Sequence, residues 1–495
     1  MRLRPSSAAQ LAGGTLVLLG VLGCGKRAAR PGAAADAGVA RASVAALVDA
    51  AVARRPVEKP EAPPYGDDVK SVRLKRSIVV RVEPNPEAKA RGTVAQDTRV
   101  PVLAWAHGKG CKGWWVEIQD GGWVCDRYLE ASKKAPTGVE LPKLKDGELV
   151  PGVYGVLREP TDAYKTPVDV LALKPTRTLA GSVKLRRVDE VEVDNKLYWK
   201  ITSGELVQAS KIAPLHPTEF AGVELGDELE LPLAWIAPRT NKKGSVGGHP
   251  WRSVVPVLEE DAARARVRVA AKAWLPAADV RIARVAPPPP GLLPGEKWID
   301  VDTAQQTLVA YQGERPVFAT LVSTGQKKWP TRPGVYRIYV KFAETDMNGQ
   351  MGDEEPYSVA TVPWTQYFAG DLALHTAYWH DRFGEARSHG CVNLTPKDAR
   401  FLYRWSDPGV LPGYSMAHGI VQYPGSVVRI RSSAAPELVP EVQGYAKRVL
   451  AARSTSTSTS TSTSTSTSTS TSTSTDDVTD RDPVQIDRSV TPSGD

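Results

Sequence analysis

The most informative stretch of the chain reads Ser388-His389-Gly390-Cys391-Val392-Asn393. A cysteine beside a histidine base is the minimal pair for acyl transfer, because the thiolate attacks a carbonyl and the imidazole takes and returns a proton. Gly390, directly before the thiol, leaves room for backbone N–H groups to approach a developing oxyanion. The stretch therefore predicts Cys391 as a nucleophile.

Polar and aromatic residues upstream of this stretch supply the base and further candidates. Three of the seven histidines in the chain lie close together, at His375, His380 and His389. Two other interpretations stay open: a cysteine beside glycine is often a small core residue, and the cluster could bind zinc. The possible zinc ligands are His375, His380, Asp381, His389 and Cys391. Because no Cys-x-x-Cys or His-x-x-x-His pair is present, we expect no metal.

The sequence around the thiol predicts a β-rich domain with one clear helix. Short β-type runs occupy residues 297–301, 307–311, 317–322, 334–340 and 426–431. The helix is expected to begin after Thr395 as N-cap, with Pro396 at the first helical position and Asp398 in the first turn.

The block from Ser388 to Asn393, preceded by His375 and by a Tyr-Trp-His-Asp run, resembles the signature of the L,D-transpeptidase catalytic domain (the YkuD-like family). The similarity covers residues 294–432, under a third of the chain, and includes an opening strand at residues 295–302. It implies a mostly β fold, a peptidoglycan substrate and no cofactor.

The resemblance also implies roles for individual residues. Cys391 would be the nucleophile and His375 the general base, while Ser388 would help to orient the base. An oxyanion site would be built from His389, Gly390 and Cys391. The residues expected to contact substrate are Asn393, where many relatives have Arg, Thr376, where relatives commonly have Gly, and the aromatic residues Trp364, Tyr367, Tyr378 and Trp379, each of which could equally belong to the core.

The reaction implied by the resemblance links two peptidoglycan stems. Cys391 would attack the carbonyl of diaminopimelate in a donor tetrapeptide, expel D-Ala, and pass the acyl group to an amine of a neighbouring stem. Carbapenem-type β-lactams would acylate the same thiol. The alternatives are an L,D-carboxypeptidase, an enzyme that attaches the wall to a protein Lys, and a non-catalytic wall-binding lipoprotein. The intact Cys391 and His375 argue against the last of these.

The N-terminus predicts export and lipid anchoring. Arg2 and Arg4 precede an apolar run, residues 11–22, that is too short to span a bilayer and ends before Gly23-Cys24. This resembles a bacterial lipoprotein signal at residues 1–23, with Cys24 as the lipidated residue; an ordinary secretory signal is the alternative. A tether at residues 24–68 would then connect the membrane, expected to be the outer membrane facing the periplasm, to the folded part.

Two or three β modules are expected between the tether and the catalytic domain. Residues 70–133 resemble a bacterial SH3-like domain, in which Cys111 and Cys125 are predicted to form a disulfide. One or two related modules are expected at residues 150–286, because the segment Trp123–Leu129 recurs in pattern at residues 206–212 and 274–280. A proline hinge at residues 287–293 would follow.

Length, charge and the C-terminal repeat limit the number of domains and the kinds of partner that we expect. The 495 residues leave room for three or four domains, and the formal charge of +8 is spread along the chain without a basic patch that would indicate nucleic acid. Residues 436–495 are expected to be disordered, since their Ser-Thr repeat at residues 454–475 has no apolar face.

Overall fold

The computed structural model describes residues 64–238, 243–348 and 357–461. All of these residues belong to one compact unit. The expected signal segment, Cys24, nearly all of the tether and the Ser-Thr repeat beyond residue 461 lie outside the described residues. Within those ranges, no helix has the length and apolar character needed to cross a membrane.

The first β module consists of eight short strands joined only by antiparallel pairs. They are β1 (Ser71–Leu74), β2 (Ile78–Arg81), β3 (Ala90–Val94), β4 (Arg99–Val100), β5 (Ala104–Ala106), β6 (Trp115–Gln119), β7 (Gly122–Cys125) and β8 (Leu129–Ser132). Their alternating apolar residues share one core. A disulfide joins Cys111 to Cys125, whose Cα atoms are 5.7 Å apart.

The second β module is organised around one long strand. Its elements are β9 (Val153–Leu157), β10 (Thr161–Tyr164), α1 (Pro167–Leu171), β11 (Arg177–Leu179), β12 (Ser182–Val193), β13 (Lys196–Ile201), β14 (Leu206–Gln208) and β15 (Ile212–Pro214). Strand β12 lies between β9 and β13. Helix α1 begins with a capping box made by Thr166 and Asp169.

The third β module consists of two small three-stranded sheets and one further strand, the first in the list below, which pairs outside these two sheets. Its strands are β16 (Val223–Glu224), β17 (Leu233–Ile236), β18 (Val254–Pro256), β19 (Glu259–Asp261), β20 (Arg266–Ala270), β21 (Ala273–Pro276) and β22 (Val280–Ala283). Strand β17 lies between β18 and β22, and β20 lies between β19 and β21. The sequence left open one or two modules after the first, and we describe residues 153–214 and 223–283 as two groups of strands.

The pattern that recurs in the sequence corresponds to a recurring local structure. In each module a strand runs into a three-residue 3₁₀ helix and directly into the next strand. The three short helices are Asp126–Tyr128, Ala209–Lys211 and Ala277–Asp279. The similarity of residues 123–129, 206–212 and 274–280 therefore has a structural basis.

The catalytic region contains ten strands and one helix. They are β23 (Lys297–Asp302), β24 (Thr307–Gln312), β25 (Arg315–Leu321), β26 (Gly334–Arg337), β27 (Val340–Asn348), β28 (Tyr357–Ala369), β29 (Leu372–Thr376), β30 (Val392–Leu394), α2 (Pro396–Trp405), β31 (Tyr414–His418) and β32 (Val427–Arg431). The predicted helix is confirmed, since Thr395 Oγ1 accepts the Asp398 backbone N–H at its first turn.

Two sheets and α2 enclose the core of this region. One sheet has the order β16-β25-β24-β23-β32-β26, and the other runs from β30 through β29, β28 and β27 to β31. Ile299 and Ile430 of the first sheet, Leu374 of the second and Leu402 of α2 are fully buried in one cluster. This shared core therefore holds the second sheet, which includes β29 and β30, in a fixed position against the first sheet and α2.

The C-terminal segment is a correction to the sequence prediction. Disorder was expected from residue 436, but helix α3 (Gly444–Thr461) follows the catalytic region. It packs because Ala446 and Val449 are buried and Arg453 forms an ion pair with Glu296. The prediction of disorder was therefore wrong for residues 444–461.

The proline segment is packed against the catalytic region and is not a free spacer. Arg429 Nη1 donates to the Pro287 carbonyl at 2.8 Å, and Arg453 Nη1 donates to the Gly291 carbonyl at 3.1 Å. Just before it, the Ala286 N–H donates to the Tyr311 hydroxyl at 3.0 Å. These bonds join the third module to the catalytic region.

Candidate active site

Strand register places the thiol and the predicted base on one face of the second sheet. Strands β29 and β30 are parallel neighbours, with His375 opposite Asn393 and Leu374 opposite Val392. Cys391 immediately precedes β30, so the same register places it beside Ala373. Because residues two apart in a strand point to the same face, the side chains of Cys391 and His375 are diagonal neighbours.

The thiol of Cys391 is held by the backbone of β29 and the turn before it. Sγ donates to the Asp371 carbonyl at 3.4 Å. Burial raises the pKa of this thiol to about 12, although the Ala373 backbone hydrogen bond lowers it and the Asp371 charge raises it further. The residue as a whole stays partly exposed. Cys391 is therefore a neutral, protonated thiol with one side open to substrate.

His375 is buried and held in one tautomer. Only 2% of the residue is exposed, and Nδ1 lies 2.9 Å from the Thr376 carbonyl. A carbonyl only accepts, so Nδ1 carries the proton and Nε2 keeps its lone pair. Burial lowers the pKa of His375 to about 4, against the opposing effect of the Thr376 bond. The imidazole is therefore neutral and can accept a proton at Nε2.

The loop before Cys391 is fixed by its own hydrogen bonds. Ser388 Oγ donates to the Cys391 carbonyl at 2.5 Å and accepts the Gly390 N–H at 3.1 Å. Thr331 Oγ1 donates to the Gly390 carbonyl at 2.6 Å. Gly390 has φ +124, and a Cβ there would lie 2.9 Å from Leu372, so only glycine fits. Ser388 thus contacts the nucleophile loop, whereas the sequence had assigned it to the base.

His389, in the same loop, is exposed and contacts an aromatic ring. Its ring lies 4.2 Å from the ring of Trp329, centre to centre. In the described structure, therefore, His375 and not His389 is the buried histidine next to the thiol.

Asn393 contacts a histidine to which the sequence assigned no role in catalysis or binding. Its side-chain amide lies 2.9 Å from Nε2 of His380, while Nδ1 of His380 accepts the Arg382 N–H at 3.2 Å. Burial lowers the pKa of His380 to about 4, so the ring is neutral and carries its proton on Nε2. The geometry that satisfies both contacts has the Asn393 oxygen towards that proton.

Four predicted substrate contacts are buried residues: Asn393, which is 3% exposed, and three further residues. Trp364 and Thr376 are fully buried, and Tyr378 is 1% exposed. Trp364 belongs to the core between the sheets, and Tyr378 donates its hydroxyl to the Ala360 carbonyl at 2.7 Å. Thr376 acts through its carbonyl, which fixes His375. The sequence left core and cleft equally open for Trp364 and Tyr378, and their burial favours the core, because an aromatic-rich pattern does not distinguish the two.

Trp379 and Tyr367 remain partly accessible beside the pair. The ring of Trp379 stacks on that of His375 with 5.8 Å between centres. Tyr367 packs on the same cluster as Cys391. These two aromatic residues can therefore reach a bound substrate.

The zinc alternative finds no support in the geometry. In the described parts of the chain, one group of His, Cys, Asp and Glu side chains is close enough to hold a metal ion, and it consists of Cys111, Cys125 and Asp126. Its two sulfurs are joined in the disulfide. The histidines around Cys391 form no such group.

Comparisons with known proteins agree with this geometry. Residues 296–429 match the family model of the L,D-transpeptidase catalytic domain (YkuD). No curated protein matches the chain. Residues 296–429 therefore form a mostly β domain of the L,D-transpeptidase type.

Solved structures with similar segments include three L,D-transpeptidases. A mutant of the Enterococcus faecium enzyme is 20% identical over 28% of this chain and 50% of its own, with a TM-score of 0.22. An L,D-transpeptidase from Stackebrandtia nassauensis is 27% identical over 28% and 56%, with a TM-score of 0.20. The E. faecium catalytic domain acylated by ertapenem is 20% identical over 28% and 97%, with a TM-score of 0.22. The match spans about half the length of the first two chains.

Proposed function

We propose that this protein is a peptidoglycan L,D-transpeptidase that uses Cys391 as its nucleophile. The observation that carries the proposal is the placement of Cys391 and His375 as same-face neighbours on parallel strands, inside the segment that matches the catalytic-domain family. A partly exposed thiol beside a buried neutral imidazole is the arrangement that cysteine acyl transfer requires.

The first half of the reaction transfers the acyl group to the protein. Sγ attacks the diaminopimelate carbonyl of a donor tetrapeptide while Nε2 of His375 accepts the thiol proton. Backbone N–H groups of the His389-Gly390-Cys391 loop stabilise the oxyanion. When the tetrahedral intermediate collapses, the bond to D-Ala breaks and its amine leaves with the proton from His375. A thioester on Cys391 remains.

The second half regenerates the thiol. An amine of a neighbouring stem attacks the thioester, His375 accepts the proton from this amine, and the C–S bond breaks as the new amide forms. The proton then returns to Sγ. No step requires a cofactor, and the Thr376 carbonyl keeps Nε2 directed for both halves.

The remaining site residues hold the substrate or the loop. The partly exposed residues Tyr367, Trp379 and His380 contact the donor stem, and the buried Asn393 acts through its hydrogen bond to His380. Ser388 keeps the nucleophile loop in place through its two hydrogen bonds. Carbapenem-type β-lactams would acylate Cys391; the Enterococcus faecium domain named above was solved acylated by ertapenem.

Features of the rest of the chain support a location at the cell wall. Export and lipidation of Cys24 would tether the domain to the membrane, with the outer membrane as the expected site. The three β modules, of the SH3-like type in our proposal, would contact the wall. Nucleic acid is not an expected partner.

The test is the identity of the products formed on wall material. Purified protein incubated with isolated peptidoglycan should produce muropeptides, identified by mass after digestion, with two diaminopimelates linked directly. Cys391→Ala should produce none. Tripeptide stems without cross-links would instead indicate a carboxypeptidase, and an unchanged muropeptide profile would contradict the proposed function.

A further inference from the structure

Lys184 brings a positive charge from the second β module to the candidate active site. It lies on β12, where Ser182, Val183 and Lys184 pair in parallel with the start of β28. Its Nζ lies 5.7 Å from the centre of the Trp379 ring and donates to Ser182 Oγ at 2.7 Å. Because Trp379 stacks on His375, one aromatic ring connects this ammonium group to the predicted base.

The second module is held firmly enough to fix the position of Lys184. The Tyr154 hydroxyl donates to the Thr361 carbonyl at 3.0 Å, and its ring lies 4.0 Å from that of Tyr378. Arg186, two residues beyond Lys184, forms an ion pair with Glu344 at 2.6 Å. The lysine therefore lies on a strand anchored on both sides, and not on a loop.

The charge of Lys184 is not neutralised within the described structure. The residue is half-buried, and none of the carboxylates in the described residues forms an ion pair with it. Burial lowers the pKa of Lys184 to about 8, so the group is still mostly protonated at pH 7. A partly desolvated ammonium group without a carboxylate partner favours an incoming anion.

We propose that Lys184 binds the side-chain carboxylate of diaminopimelate in the substrate stem peptide, so that the second β module forms part of the substrate site. The inference rests on the proposed function. A stem with diaminopimelate carries a side-chain carboxylate on that residue and a terminal carboxylate on D-Ala. Both lie within about one residue of the scissile carbonyl, and Lys184 lies one aromatic ring away from His375.

The experiment compares two tetrapeptide stems that differ in one charge. One has the free side-chain carboxylate of diaminopimelate and the other has its amide. With D-Ala release as the readout, Lys184→Met should raise KM roughly tenfold or more for the free acid, with kcat little changed and the amidated stem unaffected. Lys184→Arg should restore most of the binding. Lys200→Met, an exposed lysine on β13 of the same module, is the matched control.

Two other outcomes would overturn the inference. An equal loss on both stems would show that Lys184 stabilises the protein itself, and an unchanged KM would show that it does not contact the substrate carboxylate. If wild-type protein releases no D-Ala, the proposed function fails. Calorimetric binding of the two stems then tests whether Lys184 still forms an anion site. A weaker Kd of Lys184→Met for the free acid alone would still support an anion site, whereas identical Kd values would exclude it.

Discussion

Cys391 and His375 are both uncharged in the resting protein, and this decides how the thiol is activated. Burial raises the pKa of Cys391 to about 12 and lowers the pKa of His375 to about 4. A preformed thiolate–imidazolium pair would need the opposite order of these pKa values. In the proposed reaction, the proton would therefore move from Sγ to Nε2 only as the substrate carbonyl is attacked.

Absence of a thiolate at neutral pH is the corresponding prediction. The raised pKa of Cys391 means that its thiol loses a proton only in strongly alkaline solution. Absorbance near 240 nm, recorded as wild type minus Cys391→Ser, should show no thiolate at pH 7. A full thiolate signal at that pH would contradict the neutral pair and indicate an ion pair instead.

Helix α2 illustrates how one element is fixed at both ends. At its first turn the buried Asp398 accepts hydrogen bonds from Thr320 Oγ1 at 2.5 Å and from the Gly222 N–H at 2.8 Å. At its last turn the fully buried Lys341 donates from Nζ to the carbonyls of Tyr403 and Ser406 at 2.6 and 2.8 Å. The helix follows β30 directly, so these contacts also hold the strand that carries the nucleophile loop.

Loss of the Lys341 side-chain amino group, whose N–H donors bond the carbonyls at the end of α2, should destabilise the domain strongly. Lys341→Met fills a similar volume but leaves buried carbonyls at the end of α2 without a donor. Unfolding by urea should show a loss of roughly 3–5 kcal/mol. Lys327→Met, an exposed lysine of the same region, should change stability little. Equal stabilities of the two variants would show that Lys341 does not cap the helix.

One strand of each upstream module pairs with a strand of the catalytic region, so backbone hydrogen bonds join every module to that region. Strand β3 pairs with β31, β12 pairs with β28, and β16 pairs with β25. Backbone pairing of this kind fixes register and orientation more strictly than contacts between side chains alone. The modules are therefore part of one folded unit with the catalytic region.

The C-terminal helix should make stability depend on acid pH through Glu296. Burial alone would raise the pKa of Glu296 above its ordinary value of 4.5. Hydrogen bonds from Arg453 and Arg337 outweigh this effect and lower the pKa of Glu296 to about 2. Its contribution, roughly 3 kcal/mol, is present above pH 4.5 and is lost as the pH falls towards 2. Glu296→Gln should therefore be less stable at pH 7 and approach wild type near pH 3.

Urea unfolding of both proteins between pH 7 and pH 3 measures this difference. Glu314→Gln, an exposed glutamate in the turn between β24 and β25, is the control. A difference between wild type and Glu296→Gln that stays constant across this range would contradict the coupling of α3 to Glu296.

Local patterns predicted the features that depend on neighbouring residues. The cap at Thr395 and the recurring strand–helix–strand element follow from short stretches of sequence, and the structure contains both. Features that depend on distant parts of the chain could not be predicted. Trp364 and Trp379 each lie within four residues of other aromatic residues in the sequence, yet one is core and the other lies beside His375. Lys184 reaches the site only because β12 pairs with β28.

The assignment of His375 as the base for Cys391 is tested most directly by the rate of acylation. Intact-mass spectra should follow carbapenem adduct formation on wild type, His375→Gln and His389→Gln at pH 7. We expect His375→Gln to be slower by roughly 10²- to 10⁴-fold, since glutamine cannot accept a proton, and His389→Gln to be affected mildly. If His389→Gln were the crippled variant while His375→Gln reacted at the wild-type rate, the assignment of the base would be contradicted.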